Sequence, residues 1–259
     1  WTGAGAAVGA WSTGGNLNSA RRVAAGAGTS YSAALMFGGT PAPLKALTES
    51  YDGTSWTEVN DLNNGRRDIA GNGSQTAAIG FAGDGPPFSV YTETWNGTNW
   101  TEVNDMNTTK AYVAASISGT TSATLAFGGY VGPPGAPISI TAQTELWNGT
   151  NWTEVNDLNT GVSNHGGLGI STSALSFGGS VPGTTAGTEQ WNGTNWTEVN
   201  NMNQSRNGLA GAGINTAGLA FDGNDPKSGK TEEWNGVSWK AVADLNTATT
   251  NPIGTGSAT

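Results

Sequence analysis

Cysteine is missing from the 259 residues, histidine occurs once, and only 11 % of the chain is charged. Without Cys there is no disulfide framework, no thiolate nucleophile and no Cys-ligated metal. With His165 alone, no His pair can hold a metal, and any His-dependent triad must use that one side chain. The charged fraction is less than half the roughly 25 % of ordinary soluble domains. Its balance is acidic, a net −9 at pH 7. Such a chain offers no basic face to phosphates, so nucleic acid is not expected as a partner. No run of about 18 apolar residues occurs, so no segment reads as a membrane-spanning helix and no membrane insertion is expected. Charge-driven disorder does not fit either, because it goes with few aromatics and this chain holds 11 Trp.

What is abundant is Gly, at 41 residues, without the three-residue period of collagen. The abundance belongs to an internal repeat. Trp-Asn-Gly-Thr-Asn-Trp-Thr-Glu-Val-Asn starts at Trp95, Trp147 and Trp191, with looser copies at Tyr51 and Trp234. The second aromatics, Trp56, Trp100, Trp152, Trp196 and Trp239, are spaced by 44, 52, 44 and 43 residues, and Trp11 is an earlier degenerate copy. Phe-Gly-Gly or a relative follows the same period at Phe37, Phe81, Phe127, Phe177 and Phe221.

Within each repeat the pattern is strand-like. A small, Gly-rich run such as Ala24 to Thr29 suits an inner strand with close neighbours. A short apolar run ending in Phe-Gly-Gly follows, then a variable loop, a strand such as Thr92 to Trp95, an Asn-Gly turn and a strand such as Trp100 to Val103. Four short strands per roughly 44 residues, in tandem, are the signature of propeller blades. The expected fold is an all-β propeller of four-stranded antiparallel blades, one domain over 1–259. Its five complete repeats are approximately 12–56, 57–100, 101–152, 153–196 and 197–239, with 1–11 and 240–259 as closure strands. The ends either meet in a short composite sixth blade, with Thr2 to Val8 as a middle strand, or flank a five-bladed ring. A chain opening on Trp1 reads as a processed or excised segment of something longer. The Asn-Gly turn admits a two- or a four-residue loop. Either register puts Trp95 and Trp100 on one face of the hairpin, where inter-blade packing is the simplest role. Trp56, Trp95, Trp100, Trp147, Trp152, Trp191, Trp196, Trp234 and Trp239 are therefore expected to be structural, with sugar stacking as the alternative. Most N-x-S/T matches fall inside this turn phrase, so turn chemistry generates them.

Phe-Gly-Gly closing the second strand, an aromatic in the third and Trp in the fourth resemble kelch repeats over residues 11–259. The wording WNGTNWTEVNDLNT is also similar to kelch-like arrays in bacteriophage structural proteins, notably of marine phages. Kelch repeats often carry an Arg before the first strand. Arg21/Arg22, Arg66/Arg67, Lys110 and Arg206 match it, while Val162 and Thr249 depart. The resemblance implies galactose oxidases as catalytic relatives, with a copper site built from a Cys-linked Tyr and two His. The absence of Cys and the single His exclude that activity.

Other chemistry is thin. Glu49, Glu93, Glu145, Glu189 and Glu232 form one repeat-locked acidic series, so they sit on successive blades rather than in one asymmetric site. Asp68, Asp84, Asp222 and Asp225 break the repeat, the last three in loops rich in turn formers. Tyr51 to Trp56 only loosely resembles a sialidase Asp-box. Asn60-Asp61, Asn104-Asp105 and Asn156-Asp157 fit Asx turns better than a Ca²⁺ loop. No enzyme activity, metal or cofactor is expected. Arg22, Arg67, Lys110 and Arg206 are the candidate ligand-binding residues, as a cationic ring for an anionic glycan, with pairing to repeat acids as the competing account.

The expected function is a non-catalytic surface interaction or structural module, extracellular or on a virion surface as capsid decoration or tail fibre. Partners would be other virion proteins or host-surface glycans, and a homo-oligomer within a larger assembly is compatible. Contacts would lie on the loops Thr40 to Leu47, Asp84 to Val90, Tyr130 to Ile140, Ser180 to Ala186 and Asn224 to Lys230. The alternative is a secreted lectin-like propeller with one carbohydrate site per blade.

Overall fold

A computed structural model of the protein describes residues 11–256 apart from 42, 44, 86–87, 133–138 and 225–226. Its regular structure is all β, in five four-stranded antiparallel sheets and one three-stranded sheet. Blade one comprises Ala25–Ser30, Ala33–Phe37, Thr48–Tyr51 and Trp56–Val59. Blade two runs through Ala70–Gly73, Ala78–Phe81, Thr92–Trp95 and Trp100–Val103, and blade three through Ala114–Ala115, Thr124–Phe127, Thr144–Trp147 and Trp152–Val155. Blade four is Gly166–Ile170, Ser173–Phe177, Thr188–Trp191 and Trp196–Glu198; blade five is Ala210–Ile214, Ala217–Phe221, Thr231–Trp234 and Trp239–Val242. Each blade is a simple meander, and the inner strands of successive blades lie side by side, which makes the array a β-propeller.

The outer hairpin takes the four-residue loop. Trp95 pairs with Trp100, and the Asn96 carboxamide oxygen accepts from the backbone N–H groups of Thr98 and Asn99. Gly97 stands at φ 92°, which a side chain disfavours. Blades three and four repeat the arrangement with Asn148 and Asn192.

Each blade buries its face against the next. The second Trp of a hairpin stacks on the preceding blade's Phe: Phe37–Trp100, Phe81–Trp152, Phe127–Trp196 and Phe177–Trp239, with ring centroids 4.7–5.0 Å apart. The same indoles donate to the preceding blade's Thr48, Thr92, Thr144 and Thr188. Satisfying the indole N–H is what allows these large rings to be buried. Inner strands approach so closely that a Cβ on Gly71 would stand 2.6 Å from Phe37 and 3.0 Å from the Gly26 carbonyl.

The two ends share a sixth sector. Trp11 stacks on Phe221 at 5.1 Å and donates to Thr231, as a sixth outer Trp would. Residues 251–256 pass between blades five and one: Gly213 donates to the Gly256 carbonyl and the Thr255 hydroxyl to that of Gly28. Outer Trp and inner segment of this sector thus come from opposite ends of the chain. The middle strand expected at Thr2 to Val8 lies outside the described residues.

Candidate interaction face

Strand direction sorts the connections onto two faces. The linker entering each inner strand and the loop leaving Phe-Gly-Gly meet on one face, joined by backbone pairs Arg22–Thr40, Arg67–Asp84 and Ser163–Ser180. In blade three the pairing extends into the three-stranded sheet of Lys110–Ala111, Tyr130–Val131 and Ser139–Ile140, built on the longest of these loops.

At the centre of this face the chain turns sharply six times. Val23, Asp68, Tyr112, Asn164, Gly208 and Asn251 occupy the same repeat position, all left-handed, at φ 51°, 51°, 56°, 51°, 61° and 51°. The turn aims one residue's N–H at its predecessor's carbonyl: Asp68 donates to Val23, Tyr112 to Asp68, and Gly208 to Asn164. Non-glycine residues rarely adopt this conformation, and such strain concentrates at functional positions. The six positions rim a recess of about 130 Å³ at the mouth of the axial channel.

Polar chemistry gathers on one side of that rim. Asp68 is buried, and burial pushes its carboxyl up to about 6, although Tyr112 and Arg67 hold it down in part. Burial, then the Asp68 charge, pushes the Tyr112 phenol up to about 12. Arg67 Nη2 lies 2.6 Å from Asp84 Oδ2, and its Nε lies 3.5 Å from Asp68 Oδ2. Tyr130 packs edge-on against Tyr112 at 5.6 Å. One position deeper the rim is apolar except for His165, whose ring nitrogens make no well-formed hydrogen bond among the described residues. Burial pushes that imidazole down to about 3, so it is neutral at physiological pH.

The four basic residues singled out by sequence stand in two different columns of the repeat. Lys110 and Arg206 belong with Arg21 and Arg66; their side chains are buried, and they pair with Glu145, Glu232, Glu49 and Glu93 at 3.0, 3.1, 2.9 and 2.6 Å. Burial lowers the Lys110 pKa, a loss that Glu145 partly offsets. Arg22 and Arg67 occupy the next position: Arg22 is exposed, and Arg67 is 41 % exposed and engaged with Asp84. The four do not form one ring. Among the nine Trp singled out, all except the half-buried Trp56 are buried, leaving no free ring face for stacking on those eight.

The acids are engaged in turns and clamps. Asp52 caps its own turn through Thr54 and Ser55, as Asn96 does, and Asp61, Asp105 and Asp157 accept from Thr48, Thr92 and Thr144. Among the described residues no three His, Asp or Glu side chains converge as a metal site would require. Sequence reasoning found Asp68 as a repeat-breaker but missed Tyr112, Asn164 and Asn251. Each member of the column from Asp68 to Asn251 stands five residues after a repeat Asn, at Asn63, Asn107, Asn159, Asn203 and Asn246, but neither the column nor its neighbours keep one residue type, so the pattern does not mark it. Comparison with known families finds no family model that matches the chain, and comparison with curated proteins finds no match.

Proposed function

We propose that the chain is a non-catalytic propeller that presents one face as an interaction surface, in the setting of a virion. The supporting observation is the division of labour between residues. Residues that repeat are consumed in joining blades, whereas Asp68, Tyr112 and His165, which have no equivalent in the other copies, gather around one channel mouth beside the longest loop. Variable loops on a rigid scaffold are where recognition usually resides. The setting rests on the resemblance of the repeat wording to kelch-like arrays of phage structural proteins, and the partners proposed are host-surface glycans or neighbouring virion proteins.

A labelled propeller is applied to a glycan array beside Tyr112→Ala/Tyr130→Ala and Tyr31→Ala, the last an exposed residue on a first-to-second-strand turn. Binding lost in the double variant and retained in Tyr31→Ala supports the face. Equal binding by all three overturns it, and calorimetry showing about five equivalent sugar sites would replace it with a multivalent lectin. Immunogold microscopy finding no epitope on virions would remove the virion setting.

A further inference from the structure

Blade four lacks something that blades one, two, three and five have. Arg21, Arg66, Lys110 and Arg206 each bury a cationic head against the third-strand Glu of their blade. The aligned residue in blade four is Val162, and among the described residues no Lys or Arg pairs with its Glu189. Glu189 is nonetheless only 8 % exposed and stands in the same register, with Ser176 opposite Glu189 as Gly80 is opposite Glu93. Oε2 accepts from the Asn159 backbone and carboxamide, as in the other blades, and Oε1 accepts only the Thr160 N–H.

The space of the absent side chain persists. A cavity of about 210 Å³ is lined by Glu189, Thr160, Val162, Ser176, Gly178 and Gly187. Their counterparts in blade two form the cradle of the Arg66 guanidinium: Ala82 O accepts from Nε, Asn64 O and Glu93 from Nη1, Gly80 O and Tyr91 O from Nη2. Gly178, Thr160, Glu189, Ser176 and Gly187 occupy those positions in turn. In size the cavity exceeds the roughly 150 Å³ that accommodates a benzene ring in an engineered core. It opens past Glu198 and Thr160, both exposed. Asn201 replaces the Asp of the other blades, so the sector has one acid fewer but keeps Glu189 and Glu198 uncompensated.

We propose that blade four is a binding site for a cationic head group, a guanidinium or alkylammonium, that enters from outside and completes the ion pair the other blades make internally. Planar donors match the fork of carbonyls and carboxylate, which favours guanidinium. The head group belongs to a free small molecule or to an arginine side chain of a partner protein. The site does not depend on the polar rim of the channel mouth.

The test is an ¹⁵N-resolved NMR titration of the intact chain with ethylguanidinium at constant ionic strength, with tetramethylammonium as a control of equal charge and no donors. A parallel titration uses a short peptide carrying one arginine. Saturable shifts at Thr160, Ser176 and Gly187 are expected with ethylguanidinium and absent with the control. Val162→Arg, which supplies the head group internally, should abolish them while raising the unfolding temperature, and Glu189→Gln should abolish them without loss of the fold. Peptide binding at least as tight as ethylguanidinium assigns the partner's side chain; tighter ethylguanidinium assigns a small molecule. No saturable shift in the wild-type chain, or equal shifts in a folded Val162→Arg, overturns the proposal.

Discussion

Replacing Glu93 by Ala tests what holds each blade to the linker before it. Arg66 and Glu93 are 1 % and 0 % exposed, with Nη1 2.6 Å from Oε1. Burial already disfavours the guanidinium charge, and Glu93 is its largest compensation. Removing the carboxylate strands a cation among carbonyls alone, and breaking a buried pair this way costs about 3–5 kcal/mol. For a chain of this size that lowers the unfolding temperature by about 6–20 °C. The reciprocal change, Arg66→Val, should cost less, toward the lower end of that range of about 3–5 kcal/mol. Glu93 keeps two donors from Asn63, as Glu189 keeps two from Asn159 in blade four, where Val162 stands in place of the cation. Urea unfolding followed by Trp fluorescence measures both, with equal m-values as the check that the transition is unchanged. The reasoning fails if Glu93→Ala stays within about 1 kcal/mol of wild type, or if Arg66→Val costs as much as Glu93→Ala.

Three further outcomes are expected. Asp68 has a folded pKa of about 6, above its unfolded value. Its contribution is therefore favourable at low pH and is lost as pH rises to about 6, by up to about 3 kcal/mol. Asp68→Asn, which suits the left-handed backbone, should be more stable than wild type at neutral pH with a flatter pH profile, and NMR titration of the carboxyl near 4 would contradict this. Trp147→Ala, at a side chain 1 % exposed, should cost about 3–5 kcal/mol, whereas Trp56→Ala, half-buried and donating only to the Gly15 carbonyl, should cost distinctly less in the same assay. Gly71→Ala forces a Cβ against Phe37 and the Gly26 carbonyl and should cost about 1–3 kcal/mol, whereas Gly183→Ala, with nothing within 4 Å, should stay within about 0.5 kcal/mol by calorimetry.

The fold is legible because its landmarks are large and periodic. Trp and Phe-Gly-Gly keep one period, and each is buried against its equivalent's neighbour one blade away. Spacing alone permits two hairpin registers, and the Asn96 side chain selects between them by capping two N–H groups of the longer loop. The cationic positions are harder to read. Arg21-Arg22 and Arg66-Arg67 are doublets, and neighbouring residues of an extended segment point opposite ways. Only the structure shows that the first of each doublet joins Lys110 and Arg206 inside a blade and the second turns outward. The channel-mouth column escapes pattern reading because turn geometry defines it rather than residue type: Val, Asp, Tyr, Asn and Gly share one φ.

That contrast locates recognition more sharply than any single residue does. A residue repeated in every blade meets nearly the same neighbours each time, so one packing role accounts for all of its copies. A ligand that binds once needs an environment found once. In a ring of similar blades this arises where a copy departs from its equivalents while the surrounding backbone stays in register. The rim does so through Asp68 and Tyr112, which add a buried acid and a phenol to a turn built elsewhere with Val, Asn or Gly. Blade four does so by subtraction, since Val162 removes a cation yet leaves the carboxylate that held it. Addition and subtraction have opposite signatures. Asp68→Val should leave blade packing intact and remove only what the rim binds, whereas Val162→Arg should strengthen the blade as it closes the pocket.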